Sequence, residues 1–265
     1  ENKLLIAKKS KKLPKILVVV HFGGNPCNMK KIYKLSKRYK FNIVEDASHA
    51  LGSKYNNEPI GNCKYSSITV FSFHAIKNVT TGEGGAILTN KKGIYDKSEL
   101  FINNGIEKKK LKNDYYDQKW TGLNFRLNDF QIALGISQLN SLSKFLKKRK
   151  LIANFYYKNI KGSHFRFQKI SDNCFSAFHL FPIIFKSNLK RNNLNKFLKR
   201  NKIYCKILYP PLHNQKYFKK FKINKCKKTD FYYKHMLSLP IHYGISKHQL
   251  KRIVLKINNF FYSNK

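Results

Sequence analysis

The stretch SFHAIKNVTTGEGGA, residues 72–86, sets one lysine, Lys77, between an apolar run and a glycine-rich loop. Elsewhere the lysines crowd into runs such as KKSKK and FLKKRK, where water solvates every ammonium group. Lys77 has Ser72 and His74 before it and Glu83 after it, groups able to bind an anion, move a proton or tune an amine. A lysine that is to form a Schiff base must be partly neutral, and desolvation or a neighbouring cation brings that about. Pyridoxal phosphate, the usual partner of such an amine, also asks for an acid at its pyridine nitrogen and an anion cradle for its phosphate. Asp46 stands at the end of one predicted strand, and Lys77 follows the end of another. Ser72 can donate to a phosphate, and the glycines at 82, 84 and 85 let backbone approach a ligand closely. Spacing alone leaves other readings open. Asp46 also suits a helix cap, His49 and His74 suit half-buried structural histidines, and Glu83 suits a carboxylate that organises its own loop.

The elements that must position these groups are legible from apolar periodicity. KILVVVHF (15–22) predicts a strand buried on both faces. Asn28 caps a helix through MKKIYKLSKRYK, with Met29, Ile32, Tyr33 and Leu35 at helical spacing. FNIVED (41–46) predicts the next strand, with its acidic pair at the C-terminal end, where ligands gather in an open parallel sheet. GSKYNNEPIG reads as a hairpin turning on Asn56–Asn57, SSITVFSF (66–73) and GGAILTN (84–90) as strands, and 91–104 as a helix. Asn128 caps a long helix reaching residue 160, with Phe130, Ile132, Leu134, Ile136 and Leu139 as its core stripe. Beyond it HLFPIIF and IYCKILY predict strands, and 189–201 and 246–260 predict helices. Eleven of the 13 glycines occur by Gly135, which marks a change of composition. The expected division is a glycine-rich α/β ligand-binding part at 1–135, a connecting helix at 136–160 and a smaller C-terminal α/β domain at 161–265.

Composition bounds the function classes. A net charge of +41 attracts polyanions, yet only seven of the 54 basic residues are arginine, the residue favoured for base readout and bidentate phosphate contacts. The lysines are spread over the whole chain, so compositional drift outweighs a dedicated polyanion site and nucleic acid is not an expected partner. The five cysteines (Cys27, Cys63, Cys174, Cys205, Cys226) never occur as C-x-x-C, which supports neither a disulfide framework nor a zinc site; no metal is expected, and a reducing cytoplasm is the simplest setting. The longest apolar stretch, ILVVV at 16–20, is far short of a membrane span, and the charged opening ENKLLIAKKSKKLPK does not read as a signal peptide.

Four blocks in order, VEDASHALGSKYNNEPIG, VFSFHAIKNVTTGEGGAILTN, GLNFRLNDFQIALGISQL and LSLPIHYGIS, resemble the successive signatures of the DegT/StrS family of sugar-nucleotide aminotransferases. The resemblance runs from the start of the chain to its C-terminus. It implies an α/β fold of the aspartate-aminotransferase type (type I, pyridoxal-phosphate-dependent), incomplete at its N-terminus, with a smaller C-terminal domain. It implies pyridoxal 5'-phosphate as cofactor. On matching positions Lys77 takes the Schiff-base lysine, Asp46 the pyridinium partner, His49 the residue against the cofactor ring and Ser72 a phosphate ligand. Asn124 matches the asparagine that reaches the phosphate in a neighbouring subunit, which implies a homodimer with shared sites. SHALGS, FSFHAIK and NFRLN resemble in particular the branch that makes pseudaminic acid precursors. The implied reaction is amino transfer from L-glutamate to the 4-keto carbon of a UDP-linked deoxy sugar. Lys77, where some relatives have histidine and act as dehydratases, fits amino transfer. The alternatives are another sugar-nucleotide 3- or 4-aminotransferase of the family, or a truncated basic protein that keeps the fold as a scaffold. Two departures accompany the resemblance. Leu208-Tyr209 stands where the family often has His-Tyr, so Tyr209 as a sugar contact competes with plain packing. The family pattern also predicts roughly a hundred further N-terminal residues that supply part of the phosphate cradle and a ring-stacking aromatic, and cover the core.

Overall fold

The computed structural model of the chain describes residues 1–107, 116–221, 223 and 225–262. In chain order the elements are α1 (Asn2–Lys9), β1 (Ile16–Val20), α2 (Met29–Tyr39), β2 (Asn42–Asp46), β3 (Lys54–Tyr55), β4 (Glu58–Pro59), β5 (Ile68–Ser72), β6 (Gly85–Leu88), α3 (Lys92–Ile102), β7 (Ile106–Glu107) and β8 (Asp117–Gln118). They continue with α4 (Asp129–Asn140), α5 (Leu142–Asn159), β9 (Phe165–Phe167), β10 (Cys174–Phe175), β11 (Phe181–Phe185), α6 (Asn188–Arg200), α7 (Lys227–His235), β12 (Met236–Leu239) and α8 (Lys247–Tyr262). The chain divides into two compact units, one of Glu1–Ser143 with Asp172–Ala177, the other of Lys144–Ser171 with Phe178–Lys265.

The first unit is organised on a four-stranded sheet in the order β1-β2-β5-β6, parallel from β1 to β5 and antiparallel at β6. Register places Val20, Asp46, Val70 and Ile87 side by side, and Val19, Glu45, Thr69 and Leu88 in the adjacent row. Because side chains alternate across a strand, these two rows point to opposite faces. The face of Val19, Ile43, Glu45, Thr69 and Phe71 is buried. On the other face Ile16, Val18, Val20 and Ile87 are exposed.

This corrects the expectation that 15–22 is buried on both faces. Among the described residues β1 pairs only with β2, so it is an edge, and Val19 alone of its five residues is buried. The Asn28 cap forms as predicted, its side chain accepting from Lys31 N. Asn56 and Asn57 turn the β3–β4 hairpin with φ of 50° and 62°, the left-handed pair that such a turn demands.

The predicted long helix is two. Asn128 caps α4 in a full capping box with Gln131, and α4 gives way to α5 at Ser141. The expected core stripe of α4 faces outward: Phe130, Ile132, Leu134, Ile136 and Leu139 are all exposed, Phe130 by 89%. The first four advance by two residues, which swings each side chain about 200° around a helix and spreads them over both sides. The inward stripe is Gln131, Gly135 and Gln138, at helical spacing, with Gly135 buried. A Cβ on Gly135 would stand 3.0 Å from the Thr81 methyl, so the absence of a side chain lets α4 lie against the Lys77 loop.

The second unit closes on itself. Its sheet, β12-β11-β9, is antiparallel, and every residue of β11 and β12 is buried. α5, α6 and α8 supply Ile152, Tyr156, Leu194, Leu198, Ile253 and Ile257 to that core. Two polar side chains hydrogen-bond to backbone inside it: Tyr156 Oη donates to Pro240 O (2.7 Å), and Arg149 donates from one guanidinium nitrogen to the carbonyls of Phe178, His179 and Ile241. IYCKILY, expected as a strand, makes only an isolated bridge from Lys206 to Ser238. Its apolar run is short, and β12 already pairs with β11 along its length.

Candidate active site

The candidate residues stand at the ends of β2 and β5. Asp46 closes β2, and its carboxylate is oriented by Ser48 N–H, which donates to Oδ1 (3.0 Å). Ser72 closes β5 on the same face as Asp46, because Val70 pairs with Asp46 and Ser72 lies two residues on. Ser72 Oγ accepts from His74 N–H (3.4 Å), and its own hydroxyl proton remains to be donated.

Lys77 lies in the loop after β5, half-buried, its backbone N–H turned back onto His74 O (2.9 Å). Burial pushes its amine below the usual lysine range, and the Asp46 carboxylate pulls the other way. His49 is buried beside both. Desolvation, then the Lys77 charge, lower its pKa to about 4, with Asp46 opposing. Its Nδ1 accepts from Gly23 N–H (3.3 Å), which requires an unprotonated nitrogen, so geometry and electrostatics agree on a neutral imidazole. Phe22 meets the ring edge-on, centroids 5.9 Å apart. Three of the sequence-predicted residues, Asp46, His49 and Lys77, are therefore one electrostatic cluster.

The glycine-rich loop does something other than expected. Phe73 O accepts from Thr81 N–H (2.9 Å) and Thr80 Oγ1 (3.0 Å), and Gly84 O accepts from Phe73 N–H (2.8 Å). A Cβ on Gly84 would stand 2.4 Å from Thr81 Oγ1, and one on Gly85 2.7 Å from Phe71 O. These two glycines let the loop fold tightly on itself, and Gly82 alone faces open space. Glu83 acts as a loop organiser: its carboxylate lies 3.6 Å from His74 Nε2, and its carbonyl accepts from Gln131 Nε2 of α4 (3.1 Å).

Asn124 is exposed and bridges to Asn103 in antiparallel fashion, while Arg126 donates to Asn103 Oδ1. Among the described residues no hydrogen bond links Asn124 to Asp46, His49 or Lys77. Tyr209 belongs to the second unit and is 49% exposed.

The groups that sequence reasoning missed lie behind the cluster. His21, for which the sequence offers only a place at a strand end, is fully buried and donates from Nε2 to Glu45 Oε2 (2.8 Å). Thr69 Oγ1 donates to Glu45 Oε1 (3.3 Å). The signal was present as a carboxylate adjoining Asp46 in an apolar strand, since an acid on the buried face demands partners.

The model of the DegT/DnrJ/EryC1/StrS aminotransferase family matches residues 3–258. The chain belongs to that family. A UDP-4-amino-4,6-dideoxy-N-acetyl-beta-L-altrosamine transaminase of Campylobacter jejuni is 38% identical over 228 residues, 84% of this chain and 60% of that protein. A GDP-perosamine synthase of Escherichia coli O157:H7 is 30% identical over 93% of this chain and 66% of its own length. Among solved structures, Helicobacter pylori PseC, an aminotransferase involved in the biosynthesis of pseudoaminic acid, superposes with a TM-score of 0.86. It is 31% identical, over 95% of this chain and 68% of its own. This member of the family therefore has the α/β fold of type I pyridoxal-phosphate-dependent aminotransferases, and spans between 60% and 68% of the length of these relatives. No helix among its described residues is long and apolar enough to cross a membrane.

Proposed function

We propose that this chain carries out pyridoxal-phosphate-dependent transfer of an amino group from L-glutamate to the 4-keto carbon of a UDP-linked deoxy sugar, the step named for its altrosamine-transaminase relatives. The observation that carries the reading is the Lys77 amine, lowered by burial beside Asp46 and a neutral His49 at the ends of parallel strands. The donor set suits the cofactor: a carboxylate for the pyridine nitrogen, an amine whose pKa burial lowers for the aldehyde, a neutral ring for the cofactor face and a hydroxyl at Ser72 for the phosphate. When bound, pyridoxal phosphate supplies an electron sink for the carbanion formed at the amine-bearing carbon. Lys77 Nζ is the base that takes the α-proton of glutamate and the acid that later returns a proton to the sugar carbon. Asp46 keeps the pyridine nitrogen protonated. His49 holds its ring neutral, so it adds no positive charge that would compete for that carboxylate.

Asn124, exposed in a segment with Trp120, Leu123 and Phe125, fits a role in the site of a second subunit, and the apolar outer faces of α4 fit a homodimer. The free cysteines suit a reducing, cytoplasmic setting.

The test is the visible spectrum of the purified chain with added pyridoxal phosphate, beside Lys77→Ala. The expected result is an absorption band in the first only, bleached by glutamate, with turnover lower in the variant by at least about 10³-fold. Identical spectra would overturn the reading. Strong, salt-sensitive nucleic-acid binding indifferent to Lys77→Ala would favour a basic scaffold instead. Offering UDP- and GDP-linked keto sugars in turn then decides the substrate.

A further inference from the structure

The turn at His21–Gly24 is hydrogen-bonded to Asp46 and to His49 and, through Ala177, to the loop that carries Lys77. His21 N–H donates to Asp46 O (3.1 Å), which carries the β1–β2 ladder to the last residue of β2. Gly24 N–H returns to His21 O (3.1 Å), closing one tight turn in which Gly23 has φ 71° and Gly24 has φ 90°. Gly23 N–H holds His49 Nδ1 (3.3 Å). Gly24 O accepts from Ser53 Oγ (2.6 Å) and from Ala177 N–H (3.2 Å), and Ala177 O in turn accepts from Asn78 Nδ2 (3.3 Å), the neighbour of Lys77. One short turn thus fixes the imidazole on one side and the lysine loop on the other.

What fixes the turn is the side chain at its start. His21 Nδ1 accepts from Cys27 N–H (3.1 Å), so its one ring proton is on Nε2 and is donated to Glu45. Glu45 is buried on the closed face of β2, where its second oxygen takes the Thr69 hydroxyl. Every polar atom of the pair is engaged, in a setting where an unmade hydrogen bond costs about 1–3 kcal/mol. Such a pair is rigid, and neither residue reaches the open face where Asp46 stands.

We propose that the buried His21–Glu45 pair is a positioning device for the active site, locking the His21–Gly24 turn so that His49 and the Lys77 loop are held in register. Neither member touches substrate or cofactor. The proposal rests on the reading of Lys77 and His49 given above, but its central readout does not require cofactor.

The experiment compares the full chain with Glu45→Ala, Glu45→Gln and Glu45→Asp. Each is measured for thermal midpoint, for the ¹⁵N titration of His49 (its resonance assigned with His49→Gln) and for affinity towards pyridoxal phosphate. The charged groups acting on His49, Lys77 and Asp46, are left in place by all three variants. In Glu45→Ala the turn loses its anchor, water reaches the imidazole, and the His49 midpoint is expected to rise by about one unit or more. Pyridoxal phosphate affinity is expected to fall about tenfold, equivalent to about 1.4 kcal/mol. Glu45→Gln keeps an acceptor for His21 Nε2–H and is expected to restore both readings. A folded Glu45→Ala with an unmoved His49 midpoint overturns the proposal, as do equal shifts in Ala and Gln, because the hydrogen bond would then not be what holds the turn. Should Glu45→Ala fail to fold, Glu45→Asp keeps the charge but draws the carboxylate back from His21, and an unmoved midpoint there overturns it equally. If even the unaltered chain fails to bind pyridoxal phosphate, the functional reading falls, while the His49 titration still decides this one.

Discussion

On one face of the β1-β2-β5-β6 sheet, Val19, Ile43, Glu45, Thr69 and Phe71 are all buried; on the other, Ile16, Val18, Val20 and Ile87 are exposed beside Asp46 and Ser72. The two faces are drawn from the same short strands and are similarly apolar, so composition does not separate them. What separates them is cover. The closed face has α2 and the hairpin side chains Tyr55 and Ile60 packed in one core with it. The open face carries the two site residues that look outward from the strands, and the apolar residues around them are free to meet a ligand or a partner. Even the polar residues follow this division: Glu45, on the closed face, has its hydrogen bonds made within the fold, whereas the carboxylate of Asp46, one residue on, acts through its charge on the Lys77 amine.

The largest expected effect that would break this comparison is on the closed face. Phe71 is buried and its ring lies where a Cβ on Gly61 would come within 2.9 Å. Phe71→Ala is expected to destabilise the chain by about 3–5 kcal/mol, read from the urea midpoint at constant slope. A cost under about 1 kcal/mol would mean that the closed face is not a packed core.

Much of this arrangement was legible in the residues, and the exceptions have a common cause. Asp46 at the end of one strand and Lys77 beyond the end of another are legible because β-branched runs with abrupt polar ends read as strands, and Asn28 and Asn128 are legible as caps because an Asx before an amphipathic helix satisfies its orphan N–H groups. The burial of β1 and the inward face of α4 are not legible, because an apolar run states what a segment would bury but not whether anything covers it. Gln131, Gly135 and Gln138 form the true contact stripe of α4, and polar and small residues carry no hydrophobic signal. The pairing of His21 is hidden for a related reason: its partner lies 24 residues away, and only the parallel register of β1 and β2 brings the two together.

A second, smaller effect concerns His49, which is buried although it adjoins the open end of the sheet. Its pKa falls from 6.5 to about 4 on folding, so between those values the unfolded chain binds a proton that the folded chain does not. Stability from this group is therefore full above pH 6.5 and declines as pH falls toward 4, by up to about 3 kcal/mol. His49→Gln is expected to flatten that part of the stability–pH curve, followed by urea unfolding at pH 7, 5.5 and 4. An unchanged slope would show His49 to be solvated in solution, and would extend the open region to include it.

The smallest effect gives the cleanest contrast, because it uses one substitution at two adjacent residues of β1. Val→Thr keeps β-branching and volume while exchanging a methyl for a hydroxyl, so strand propensity is held nearly constant and the change reports burial. Val19 is 6% exposed on the closed face and Val18 is 59% exposed on the open one. Val19→Thr is expected to cost about 1–3 kcal/mol, the penalty for burying a hydroxyl without a partner. Val18→Thr is expected to stay within about 0.5 kcal/mol in dilute protein, as exposed substitutions do. If Val18→Thr instead costs as much as Val19→Thr, and does so increasingly with protein concentration, the open face is covered by a second copy in solution, since only an association equilibrium makes a point substitution's cost depend on concentration. Equal costs at every concentration would mean that the two faces do not differ, and the division between a structural and a working face would fail at its simplest point.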